Sequence, residues 1–230
     1  MIKHHPTFEL LKAFVAGDLP ASLSAGVAIH ADMCDVCQQQ IAQLTEQVAE
    51  EHFKVEENLL NRFNVDEQQS LEQLPVNNFE NMIADITASN NIRVIPAQKE
   101  KTISFKGNNY LLPRALHNMT LGKTAHIGKL SRLRMQLNEN EIHTSLLHIE
   151  PGGGVPEHTH KGFELTLLLE GSFADEKGAY VKGDFIMLDA SRKHHPISNQ
   201  GCLCYTVAND ALHFTQGINK LLNPISTFIY

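Results

Sequence analysis

Two hydrophobic periods divide the chain. From residue 7 to residue 89 apolar side chains recur at the three- and four-residue steps of a helix, and from residue 92 onward short alternating runs take over. Phe8, Leu11 and Val15, flanked by Leu10 and Phe14, form a stripe that opens behind Pro6-Thr7 and stops at Gly17-Asp18. A second helix is predicted from Pro20-Ala21, because proline suits a first helical turn. Ile41, Leu44, Val48, Val55 and Leu59 mark a long third helix from about Cys34 to Leu60, and Phe79, Met82, Ile83 and Ile86 mark a fourth. The polar stretch 64–78 between them reads as a mobile connection. Beyond a second polar break at 88–91, the runs at 132–137, 163–169 and 180–188, punctuated by Gly and Pro, predict short strands of a sandwich or barrel. A domain boundary is placed near residue 90. No internal repeat or low-complexity tract is evident.

Composition agrees with two ordinary folded parts. The 230 residues are 42% apolar and 20% charged, enough to build normal cores in one large or two modest domains. The net charge of −7 is unevenly spread: residues 1–99 carry 6 Lys/Arg against 14 Asp/Glu, and residues 100–230 carry 13 against 12. An acidic surface repels phosphate, so the first part is expected to bind no nucleic acid directly and to attract a basic protein partner. Apolar runs such as residues 165–169 are strand-sized, and residues 1–6 have no apolar signal core. The chain is therefore expected in the cytoplasm, with no membrane contact. In that reducing compartment Cys34, Cys37, Cys202 and Cys204 point to metal or redox chemistry rather than to structural disulfides.

The helical part contains His30-x-x-x-Cys34-x-x-Cys37. On one helix these positions share a face, and at a tight helix-to-helix corner they also converge, so three zinc-type donors meet in either case. A tetrahedral ion takes a fourth ligand, and the pair His4-His5 can supply it. A redox C-x-x-C is the alternative, although such dithiols ordinarily follow a strand. His52 reads as a surface residue. The arrangement resembles the zinc-binding anti-sigma domains of bacteria, and that resemblance implies His5, His30, Cys34 and Cys37 as the ligands of one zinc within four helices, with His4 as the rival of His5.

The β part contains Gly152-x5-His158-x-His160-x3-Glu164-x6-Gly171, which resembles the first cupin motif at every spacing. Alternate strand residues face one side, so His158 and His160 point into a barrel, and Glu164 joins them from the next stretch. Two imidazoles and a carboxylate inside an apolar barrel are costly unless a metal holds them; the alternative is a metal-free barrel whose histidines satisfy core hydrogen bonds. The second cupin motif is only partly kept: Gly183 opens it, Asp189, Ser191 and Ser198 replace its proline, glycine and asparagine, and His194 takes the ligand position with His195 as rival. Zinc, manganese, iron and nickel all suit three His and one Glu. Cys202 and Cys204 share a strand face, as a buried apolar pair or as a redox pair. His143 and His148 are read as sharing a strand face near the barrel wall, without a role.

A helical zinc domain followed by a cupin barrel resembles the ChrR type of anti-sigma factor over essentially the whole chain. The resemblance implies an α+β multidomain protein, with a four-helix zinc-bound domain over 1–90 and a cupin β-barrel, a double-stranded β-helix of jelly-roll type, over 91–230. It further implies that the first domain binds and inhibits an extracytoplasmic-function sigma factor of the RpoE-like group, and that the cupin domain mediates release on oxidants such as singlet oxygen or organic peroxides. On that reading the chain is not an enzyme. Leu10, Leu11 and Phe14 of helix one and Phe79, Met82, Ile83 and Ile86 of helix four are the candidate contacts, a share of them serving the internal core instead. The rival class is a metal-dependent cupin dioxygenase or isomerase with a zinc assembly module.

Overall fold

The computed structural model describes residues 1–62, 76–89, 99–160, 162–189, 191–209 and 213–214. Its helices are α1 (Phe8–Ala16), α2 (Ala21–Ala31), α3 (Asp35–Arg62) and α4 (Val76–Ala88). The local signals act where the sequence places them. Thr7 Oγ1 accepts the Leu10 N–H at 3.3 Å, Gly17 closes α1 in the left-handed conformation at φ 77°, and α2 begins directly after Pro20. Residues 64–75 of the connection read at 64–78 lie outside the described residues; residues 76–78 are helical. No single described helix is long and apolar enough to cross a membrane; α1 and α2 pass that test only as a pair bent by 113°.

Thirteen strands follow among the described residues: β1 (Thr102–Phe105), β2 (Asn108–Leu111), β3 (Thr120–Ile127), β4 (Leu130–Gln136), β5 (His143–Ile149), β6 (Gly153–Gly154), β7 (His158–Thr159), β8 (Glu164–Asp175), β9 (Gly178–Val181), β10 (Phe185–Leu188), β11 (Ile197–Ser198), β12 (Cys202–Ala208) and β13 (His213–Phe214). The main sheet runs β3-β4-β5-β12-β8-β11-β6, with β9 and β10 also paired to β8 and every pairing antiparallel. It curls into the cupin architecture expected from the sequence. The twelve-residue β8 serves four partners by bending at Gly171, which has φ 77° and lies so close to the Gly201 carbonyl that no Cβ fits. That glycine closes the spacing of the first cupin motif, and its place there has a backbone cause.

Residues 1–45 and 100–230 form one compact unit and residues 46–99 another, with the division inside α3. Compactness thus divides the chain elsewhere than the change of period near residue 90. The reason is a shared core. Leu11, Leu23, Val27, Ile29, Cys37 and Leu44 belong to one hydrophobic cluster with Leu133, Leu146, Leu165, Leu167, Phe185, Leu203 and Tyr205 from one face of the sheet. Burial of that apolar area is the main force holding α2 to the barrel. The contact is close: a Cβ at Gly26 would stand 2.7 Å from Leu165 Cδ2, and the buried Tyr205 hydroxyl donates to the Ser22 carbonyl at 2.8 Å. A second cluster, built on Ile149, Leu168, Phe173, Ile186 and Leu188, fills the other face, inside the barrel.

Candidate metal centres

The entry to α1, the end of α2 and the start of α3 bring four side chains to one point. His5 stands two residues ahead of the Thr7 cap, His30 lies in the last turn of α2, Cys34 directly precedes α3, and Cys37 lies in its first turn. The H-x-x-x-C-x-x-C spacing therefore spans a helix-to-helix corner. His30 Nε2 lies 3.2 Å from Cys37 Sγ, and His5 Nδ1 lies 3.4 Å from Cys34 Sγ and 3.5 Å from Cys37 Sγ. All four ligand atoms fall within 4.8 Å of one another. Bonds of about 2.0–2.1 Å to nitrogen and 2.3 Å to sulfur around a tetrahedral ion separate its ligands by roughly 3.3–3.8 Å, so the cluster is compatible with zinc. Burial, then the neighbouring Cys34, pushes the Cys37 thiol up to about 12, and burial pushes His30 down. Two adjacent thiols in such a site favour a bound cation, whose charge offsets both penalties.

The barrel holds both histidines of this cluster. His30 donates from Nδ1 to the Gly183 carbonyl at 2.8 Å, which leaves Nε2 free to face the sulfurs. Asp184, fully buried, accepts the N–H groups of Lys3 and His4 on Oδ1 at 2.7 and 3.0 Å and that of Val181 on Oδ2 at 2.9 Å. Phe185 then donates its N–H to the His4 carbonyl at 2.9 Å. The peptide leading into His5 is thus pinned at three points. His4 turns its own ring against Tyr180, 4.9 Å between centroids, and stays out of the cluster.

Inside the barrel His158 of β7, His160 just after it, Glu164 at the start of β8 and His194 before β11 form the second group. His160 Nε2 lies 2.6 Å from Glu164 Oε2; His194 Nε2 lies 3.4 Å from the same oxygen and 3.4 Å from His160 Nε2. Glu164 Oε2 is buried with no well-aligned hydrogen bond, so the donor atoms converge on a point rather than on one another. His158 and His194 exchange backbone hydrogen bonds at 3.2 Å each way, which ties the two motifs together, and His158 Nδ1 donates to the Pro156 carbonyl at 2.8 Å. Burial, then His194, pushes His158 down to about 3. Burial acts to raise Glu164, but the contacts from His160 and His194 outweigh it and hold the carboxyl well below its usual range. Three imidazoles around a buried carboxylate suit a divalent cation. His195 is half-buried and lies outside this group.

Residues 118–211 match the family described as the ChrR cupin-like domain. Likeness extends beyond it: the chain is 28% identical over 228 residues to the anti-sigma-E factor ChrR of Cereibacter sphaeroides, covering 97% of each protein. A chain in the crystal structure of Rhodobacter sphaeroides SigE in complex with the anti-sigma ChrR is similar at a TM-score of 0.57 and 25% identity, over 90% of this chain and 100% of that one.

Other residues singled out in the sequence are placed as follows. Cys202 and Cys204 are buried free thiols on one strand face with sulfurs 4.0 Å apart. His143 and His148 do not share a face: they are five residues apart on β5, so His143 lines the barrel cavity while His148 stacks on Phe105 at 5.4 Å. His52 is exposed, as read. Two residues escaped the sequence reading. Asp184 follows a turn glycine and looks like an ordinary loop acid. Arg132 shares a strand phase with Arg134 and Gln136, which reads as a solvent face, yet it is buried in the barrel.

Proposed function

We propose that the chain is an anti-sigma factor, acting in the cytoplasm, that binds and inhibits an extracytoplasmic-function sigma factor of the RpoE-like group through residues 1–90, with the cupin domain over 91–230 mediating release on oxidants such as singlet oxygen or organic peroxides. The observation that carries the reading is likeness to ChrR along nearly the whole chain, in a protein that holds one His/Cys and one His/Glu cluster. His5, His30, Cys34 and Cys37 would hold zinc, and His158, His160, Glu164 and His194 a second divalent metal. The zinc would supply a cross-link that fixes the entry to α1 and the corner between α2 and α3.

The sigma-factor contact is assigned to α4. Leu11 is fully buried and Leu10 and Phe14 pack against the core, so the α1 stripe is consumed internally. Met82, Ile83 and Ile86 on α4 are 50%, 58% and 65% exposed and form an apolar stripe at helical spacing. The acidic balance of residues 1–99 suits a partner that carries basic surfaces. Release has a physical route through β10: residues 183–185 hold the histidines of the helical cluster, and three residues on, Leu188 pairs with Glu164 of the barrel cluster. A change at Glu164 is thereby joined to His5 and His30 by a single strand.

The reading is tested by co-purification with an RpoE-like sigma factor and by inhibition of transcription from its promoter. A chain that neither binds nor inhibits such a factor would refute it; turnover of a small substrate by the barrel would favour the enzyme reading. Replacing His158 and His160 by alanine is expected to leave inhibition within about twofold while abolishing induction by organic peroxide, since the barrel cluster lies apart from α4 in sequence and chemistry. Loss of inhibition in a folded His158→Ala, His160→Ala variant would overturn this division of labour.

A further inference from the structure

The barrel cavity contains a cation that neither metal cluster uses. Arg132 projects from β4 toward the space beside His158, Glu164 and His194, and only 8% of the residue is exposed. Its Nε and Nη1 are buried without any hydrogen-bond partner. Among the described residues, the ion pairs of this unit use Lys106, His160, Lys182 and His194, none of them Arg132. Burial, then the neighbouring Arg134, pulls the guanidinium down to about 10, which leaves it fully charged at neutral pH. A buried charge with unsatisfied donors is costly, and proteins retain one where an anion arrives to meet it. The guanidinium plane and its directed N–H groups match a carboxylate better than a spherical anion.

The rest of the cavity defines the body of such a ligand. Leu147, Ile149, Val155 and Phe173 give an apolar wall, with hydroxyls of Ser145 and Thr206 on the same lining. The volume of about 60 Å3 gives room for roughly four or five water-sized groups. We infer that this cavity is a binding site for a small carboxylate on a short apolar body, with Arg132 as the residue that recognises the carboxylate oxygens. The site stands on Arg132 and the cavity lining, so it does not depend on the anti-sigma reading.

Propanoate is the probe. Calorimetric titration of the full chain, without a sigma factor and against chloride at matched ionic strength, is expected to give saturable binding at one site per chain and a propanoate-dependent rise in melting temperature. Arg132→Met is expected to weaken binding by at least about tenfold and to remove that rise, while melting without propanoate at a temperature no lower than the parent, because an unpaired buried charge has been replaced by an apolar chain of similar length. Arg132→Gln gives a second reading of the same loss should the methionine variant fail to fold. Absence of saturable binding to the parent, or binding unchanged in a folded Arg132 variant, would overturn the inference; loss of sigma-factor inhibition with propanoate binding intact would leave it standing and refute only the proposed function.

Discussion

Replacing Cys34 and Cys37 together by alanine is expected to release the proposed zinc and to lower the affinity for the sigma factor by more than about a hundredfold, while the barrel stays folded. The two effects separate because the two structural duties are separate. Leu11, Val27 and Ile29 remain in the core shared with the barrel whether or not a metal is present, so α2 keeps its place through buried apolar area. The join between the entry to α1, the end of α2 and the start of α3 runs through the His/Cys cluster, whose sulfur and nitrogen atoms lie 3.2–3.5 Å apart. Binding of a structural zinc contributes on the order of 10 kcal/mol in small domains, and losing it sets α3, the path to α4, free of the corner. Metal content of the purified variant, its far-ultraviolet spectrum and its sigma-factor affinity check the prediction together. Undiminished binding by a zinc-free variant would remove the scaffold role.

Asp184→Ala should be the most damaging change away from the ligands, with zinc retention reduced about 10–100-fold, the range found when groups that orient metal ligands are lost. Asp184 accepts three backbone N–H groups in a fully buried position, and two of those groups belong to the peptide that delivers His5. Charge-assisted bonds of this kind contribute about 1.5–3 kcal/mol each, and their removal leaves orphaned donors as well. Asp184→Asn should fall between parent and alanine, since a carboxamide offers one acceptor where two are used and turns an NH2 group toward an N–H donor. Competition against a zinc chelator gives the magnitude, and metal content at the barrel cluster serves as the internal control. Zinc retention equal to the parent in the alanine variant would show that the helical cluster positions His5 unaided.

Much of this protein was legible in its sequence because the signals are local. Helix α1 starts and stops where Thr7 and Gly17 say it should, and the H-x-H spacing turns two imidazoles to one side of an extended stretch, with Glu164 arriving at the start of the next strand. Arg132 was illegible for the opposite reason. Alternation told that Arg132, Arg134 and Gln136 share a face, but the identity of that face depends on which strands close over it, and curling of the sheet buries the first while the other two stay exposed. Helix α2 posed a related problem: with residues such as Ser22, Leu23, Ala25, Val27 and His30 buried on several sides, it has no polar stripe to reveal its partner.

The chain's own order of residues settled the residue types and spacings of two candidate metal clusters, the helical and β periods, and the acidic balance of the first part, since each depends on neighbours within a turn or a strand. Folding in three dimensions chose between equals that local pattern cannot rank, bringing His5 rather than His4 and His194 rather than His195 into the clusters, and it set His30 against the barrel. The placing of His5 and His30 rests on contacts between residues more than 150 positions apart, where the carboxylate of Asp184 meets Lys3 and His4 ahead of α1 and the carbonyl of Gly183 meets His30 in α2. Such contacts are fixed by buried apolar area and by the need to satisfy buried polar groups, neither of which is a property of any short stretch of sequence.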